Sequence, residues 1–146
     1  MYIVIALIVF VIIAFFVLGF MSKKGEAPGL QAEHLQACTS TDNCVISEAV
    51  DGNEASIKPL AFSGDKADFL IKVTGAIELM KGTIVTADDN YIAATFTSGI
   101  FGFVDDVEFR LTDDNLLHFR SASRVGRKDF GANKKRIDAL KQMLEK

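Results

Sequence analysis

Met1 to Met21 carries no charge, and Gly19 alone interrupts its hydrophobic series. At about 1.5 Å per residue the run is roughly 30 Å of helix, the thickness of a bilayer core. A cleaved signal peptide would want a basic start, a shorter apolar stretch and a small-x-small cleavage site. Here Phe15, Phe16, Phe20 and Met21 occupy the far end instead. The reading is a retained single-pass transmembrane helix over residues 1–21, with the lipid bilayer as its partner.

Two features bear on sidedness and oppose each other, and the cytoplasmic side is favoured over the periplasmic. Lys23 and Lys24 follow the span directly, and the positive-inside rule then places the following domain in the cytoplasm. Cys38 and Cys44, in C-T-S-T-D-N-C, are close enough for a short disulfide loop, which needs an oxidising compartment such as the periplasm. Two free thiols in a loop are the alternative. As metal ligands the cysteines lack company, since there is no second cysteine pair and His34 and His118 are far apart. No metal or cofactor is implied.

Of the 146 residues, those after the apolar run suffice for one domain of about 110 residues. A net charge of -3 gives no bulk field for nucleic acid. The distribution says more. Seven acids stand against Arg110 between Asp88 and Asp114, whereas seven Lys or Arg stand against Asp129 between Arg120 and Arg136. Such adjacent segments pair with each other more readily than they recruit a polymer.

Residues 22–37 show no periodicity and read as a linker, with a helical turn expected near Leu30 to Leu35. The domain then occupies 38–146. Asp51-Gly52-Asn53 signals a turn, and Ser56 to Phe62 reads as an edge strand because Pro59 lacks a ladder donor. Phe69, Val73, Ile77 and Met80 recur at helical spacing behind Asp65, which can cap the start. Gly75 is expected to let this helix lie close to a sheet, and Lys81 with Gly82 to end it.

Two hairpins follow with the same turn. Thr83 to Ala87 meets Tyr91 to Thr97 across Asp88-Asp89-Asn90, and Val107 to Thr112 meets Leu116 to Val125 across Asp113-Asp114-Asn115. A three-residue loop of this kind ends in a left-handed position, which Asn tolerates. With residue 112 opposite 116, Glu108 faces Arg120, Arg110 faces His118 and Asp106 faces Ala122. Val107, Phe109 and Leu111 then share the other face with Leu117, Phe119, Ser121 and Ser123. A slip by one residue would mix the faces, so the pattern selects this register. The charged face is expected to be solvated, with Arg120 and Arg124 either paired to carboxylates or holding an anion. Between the hairpins, Ile100, Phe101 and Phe103 read as core packing, with a lip touching lipid or a ligand tail as the alternative.

Ile137, Leu140 and Leu144 mark a last helix from about Gly131 to Glu145, with Asp129 placed to cap it or to bond its free amides. Lys134, Lys135 and Arg136 crowd its positive end. A carboxylate such as Asp105 or Asp106, a bound anion or solvent must offset them. Gly131 suggests a close backbone approach there.

These residues resemble a known family. N-C-V (Asn43 to Val45), V-D-D-V-E-F-R (Val104 to Arg110), R-S-A-S-R-V-G (Arg120 to Gly126) and D-F-G-A-N-K-K-R-I (Asp129 to Ile137) are similar to the domain of unknown function 1499 family, found in bacteria and plastids. The resemblance covers roughly Cys38 to Leu144 and implies no activity. It implies a bacterial inner membrane as the setting, and exported relatives add weight to the periplasmic orientation. Where many relatives have Pro before the Asn of N-C-V, Asp42 stands here.

The expected fold is α+β. A curved antiparallel sheet of four main strands plus an edge strand carries two helices on one face, in the manner of TATA-binding-protein-like or helix-grip domains. The expected function is to bind a small anionic or amphipathic, lipid-like ligand near the membrane. Its candidate residues are Arg120, Arg124, Asp105, Asp106, Glu108, Asp129, Asn133 and Arg136. A structural or protein-interaction domain is the alternative, and an enzyme comes third because no nucleophile or acid–base pair stands out.

Overall fold

The computed structural model describes residues 1–48 and 56–146, so the expected turn at Asp51 to Asn53 lies outside the described residues. The N-terminal run is one helix, α1 (Tyr2–Ser22), long and apolar enough to cross a membrane. Two short strands follow, β1 (Leu30–Gln31) and β2 (His34–Leu35), then β3 (Cys44–Ile46) and β4 (Leu60–Ala61). The rest runs α2 (Lys66–Leu79), β5 (Thr83–Ala87), β6 (Tyr91–Thr97), β7 (Val104–Leu111), β8 (Leu116–Ser123) and α3 (Ala132–Leu144).

The antiparallel sheet has the order β3-β8-β7-β6-β5, and β4 also pairs β8. Thus β3 and β4 share one edge of β8, opposite residues 120–122 and 116–117 respectively. The four main strands and the β7–β8 register are as expected: Glu108 pairs Arg120, Arg110 pairs His118 and Asp106 pairs Ala122. Asn115 takes the left-handed position with φ 59°. Asn90 does not, because its carbonyl accepts the Leu111 N–H at 2.8 Å and so extends the β6–β7 ladder.

Both domain helices pack on one face. Phe69, Val73 and Ile77 of α2 join Ile137, Leu140 and Leu144 of α3 over Ile92, Val107, Phe109, Leu117 and Phe119. Asp65 caps α2 by accepting the amides of Ala67 and Asp68. Gly75 has nothing within 4 Å of where a Cβ would stand, so it brings no element closer. The close approach is at Gly82, where a Cβ would meet Phe96 at 2.6 Å and Ile77 at 2.7 Å. Likewise Gly131 answers a backbone demand, φ 78°, rather than a close neighbour.

The stretch read as a linker belongs to the domain. In place of a helical turn, β1 and β2 form a hairpin through Ala32 and Glu33, both at positive φ. Its Leu35 is buried with Ile46, Tyr91 and Ala93 on the sheet face opposite the helices. The same stretch ends in a disulfide, Cys38–Cys44.

The last turns of α1 are docked to the domain as well. Gly19 lies against the Phe101 backbone, and a Cβ there would stand 1.8 Å from the Phe101 oxygen. Ser22 is fully buried, and its Oγ accepts the Val104 N–H at 3.0 Å. Phe101 packs against Phe15 and Phe16, with centroids 5.1 and 5.3 Å apart, and Phe15 also meets Phe103 at 6.2 Å. Phe101 and Phe103 therefore join α1 instead of the domain core, and Ile100 is left 77% exposed.

Candidate functional site

β7 and β8 alternate side chains between two faces, and each face carries its own polar network. On the face opposite the helices, Glu108 is fully buried. Its Oε1 accepts the Tyr91 hydroxyl at 2.8 Å and the Gly29 N–H at 3.0 Å, while Oε2 accepts Arg120 Nη1 at 2.9 Å. Arg124 donates Nε and Nη2 to the two oxygens of Asp106 at 2.8 and 2.7 Å, and Nη1 to the Ser22 carbonyl at 3.2 Å. Farther along the strands, Glu48 accepts Arg110 Nε and the Leu35 N–H, both at 2.6 Å. His118 Nδ1 lies beside it, 3.2 Å from Ser47 Oγ.

This face is not the solvated surface expected from the sequence. Residues 25–48 cover it, leaving Asp106 4% and Arg120 8% exposed. Burial pushes the Glu108 carboxyl above its ordinary value, opposed by the Tyr91 hydroxyl, Arg120 and the Gly29 amide. Burial and then the Glu108 charge push the Tyr91 phenol up, so it stays a hydrogen-bond donor. Burial lowers His118, with Glu48 opposing and Arg110 reinforcing. The Asp106 hydrogen bonds raise Arg124.

The second network lies between the sheet and α3. Arg136 donates Nη2 to Asp105 Oδ2 at 2.6 Å and Nη1 to Asn133 Oδ1 at 2.7 Å, and its guanidinium lies 4.9 Å from the centre of Phe96. Asn133, fully buried, donates Nδ2 to the Asn43 carbonyl at 3.0 Å and to Asp129 Oδ2 at 2.9 Å. Asp129 in turn accepts the amides of Gly131 and Asn133 at 2.9 and 2.8 Å. Lys134 pairs with Asp138. Carboxylates thus offset Lys134 and Arg136 at the start of α3, Arg136 through Asp105 as one of the expected arrangements.

The eight candidates therefore form two clusters on opposite faces. Arg120, Arg124, Asp106 and Glu108 stand on one; Asp105, Asp129, Asn133 and Arg136 stand on the other. Arg120, Arg124 and Arg136 each face a carboxylate. An anion would have to displace a buried charge to reach any of them, which is costly.

A cavity of about 450 Å³ lies between α1 and the domain and borders the second network through Asp105, Ser123 and Asp129. Phe15 and Leu18 of α1 form one wall; Phe103, Val125 and Phe130 form much of the rest. Arg127 and Lys128, both exposed, also line it. Sequence reasoning named several of its walls, the anchor, Phe103, Asp105 and Asp129, but not that they meet Val125 to Phe130, because the segments are far apart in sequence. A larger concavity, about 740 Å³, lies between β4 and the ends of α2 and α3. There Asp65 is used by the α2 amides and Lys72 by the Leu144 carbonyl.

The family described as Protein of unknown function (DUF1499) matches residues 34–144. The chain belongs to this family. No curated protein and no solved structure matches it. Both polar networks have most of their members within the DUF1499 match, whereas Gly29 and all of α1 precede it. The cavity thus joins a family domain to a wall contributed from outside the matched residues.

Proposed function

We propose that this DUF1499 chain is a single-pass membrane protein whose domain holds an anionic, lipid-like amphiphile against its own anchor. The observation that carries this reading is the 450 Å³ cavity, apolar along Phe15, Leu18, Phe103 and Val125 and lined by the exposed Arg127 and Lys128, while its two carboxylates, Asp105 and Asp129, are already engaged by Arg136 and by the Gly131 and Asn133 amides. Small-molecule sites have this makeup, an apolar lining with few polar groups fixing orientation. Retention of α1 is supported by Gly19 and Ser22, which are built into the contact with the domain. The Cys38–Cys44 bond supports an oxidising, periplasm-like side, against the charge rule at Lys23 and Lys24.

Native mass spectrometry of the full-length protein, released from its membrane in mild detergent, tests the reading. A stoichiometric adduct is expected, and it should be lost when Arg127 and Lys128 are both changed to Glu. Because both residues are exposed, the fold should survive. Bare protein in both forms would sink the proposal. The interaction-domain reading would then lead, favoured by the pairing of Arg120, Arg124 and Arg136 with buried carboxylates. For catalysis, Asp105 and Asp106 are already bound to arginines and Ser121 to Asn133.

A further inference from the structure

Among the domain's exposed large hydrophobics, Ile71 and Leu79 lie on α2 and Val85 on β5, whereas two other tips share one place. Ile100 is 77% and Phe130 88% exposed, and both belong to the end of the sheet where α1 docks. Phe130 also holds φ 53°, a left-handed backbone that costs a bulky L-residue roughly 1–2 kcal/mol. The turn itself holds that backbone, with Asp129 accepting the Gly131 and Asn133 amides around it, and the ring is left largely uncovered by the domain.

The anchor shows how deep these tips stand. Phe101 touches Phe15 and Phe16, which precede Ser22 by six or seven residues, so the loop from Ser98 to Phe103 reaches about 10 Å below the end of α1. Lys23 and Lys24 follow the helix, and the Lys23 side chain passes over Gly102. Arg127 and Lys128 lie beside Phe130. Apolar tips ringed by cations at the mouth of an apolar helix match the bilayer interface, with anionic headgroups above and acyl chains below.

We infer that the domain is seated in the membrane surface, with Ile100 and Phe130 inserted among the lipids beside α1 and Lys23, Arg127 and Lys128 at headgroup level. The inference shares with the proposed function the premise that α1 spans the bilayer and the place of Arg127 and Lys128 beside anionic groups. It does not need the cavity to be filled. The seating fixes the sheet's tilt and leaves the turns at Asp89 and Asp114 as the parts farthest from lipid.

The chain has no Trp, so single-Trp variants report depth without background. Ile100→Trp, Phe130→Trp and Asp89→Trp full-length proteins are reconstituted into phosphatidylcholine–phosphatidylglycerol vesicles, with or without bromine on the upper acyl chain. Asp89 lies in an exposed turn at the other end of the seven-residue strand β6, about 23 Å away. Ile100→Trp and Phe130→Trp should emit to the blue of Asp89→Trp and lose most of their emission to bromine, while Asp89→Trp keeps its own. Protein that floats with the vesicles but shows no quenching overturns the seating while leaving the anchor intact. Blue-shifted yet unquenched emission also overturns it, by showing the tips covered by protein such as a second copy. Failure to float removes the shared premise and overturns both readings, a result that flotation alone identifies.

Discussion

Removing the Arg120 guanidinium separates architecture from ligand binding. In Arg120→Ala, Glu108 stays fully buried and keeps only the Tyr91 hydroxyl and the Gly29 amide. A buried charge stripped of its counter-ion costs about 3–5 kcal/mol, a large share of the roughly 5–15 kcal/mol that holds a domain together. Arg120 also has a buried Nε without a partner among the described residues. Replacing the whole pair, Glu108→Leu with Arg120→Met, should therefore recover most of the loss. Urea unfolding in detergent, followed by Tyr91 fluorescence in a Tyr2→Phe background, gives both numbers. The pH dependence supplies an independent check. Burial already raises the Glu108 carboxyl, and without Arg120 it rises further, so the folded state binds the proton more tightly than the unfolded chain. The deficit relative to wild type should then be small in acid and grow as pH climbs from the folded wild-type Glu108 value through the higher one of the variant. An Arg120→Ala protein within about 1 kcal/mol of wild type at neutral pH would refute the reasoning, because the guanidinium would then be spare.

Other perturbations probe other parts of the chain. Gly19→Ala places a methyl group 1.8 Å from the Phe101 oxygen and should prise α1 from the domain, at a cost of about 2–4 kcal/mol in ring contacts and the Ser22–Val104 bond. Faster tryptic cleavage at Lys23 and Lys24, with the domain's own urea midpoint unchanged, is the expected signature. Reducing Cys38–Cys44, whose sequence separation is 6, should lower stability by about 2 kcal/mol, measured as the urea midpoint with and without reductant. Because His118 titrates below 6.5 in the fold, the unfolded chain takes up a proton first. Stability should fall as pH drops below about 6.5, by at most ~1.4 kcal/mol per unit, and His118→Gln should flatten that part of the profile.

What could be read from the residues follows their range of interaction. The β7–β8 register was legible because a three-residue turn and an alternating pattern fix it locally, and the Glu108–Arg120 pair came with it. Asp65 and Asp129 as caps were legible for the same reason. The burial of that charged face was not, because its cover comes from residues 25–48, whose hairpin turns on Ala32 and Glu33 instead of Asn-Gly. β3 is only three residues long, too short for periodicity to register. Recognised as a strand, it would have set Glu48 beside His118. Tyr91 was missed because the β6–β7 pairing crosses the irregular loop from Ser98 to Phe103. That loop was misread as core because its aromatic partners, Phe15 and Phe16, were assigned wholly to lipid.

The seat of Gly19 and Ser22 has a mechanical consequence. Each α-helical residue advances the azimuth by about 100°, so only one rotational phase of α1 presents Gly19 to Phe101 and Ser22 to Val104. The helix is therefore keyed to the sheet like a shaft to a wheel. A tilt or rotation of α1 is passed on to β7 without slack, and the domain has no leash on which to search. Whatever meets it must arrive within the plane that the helix sets.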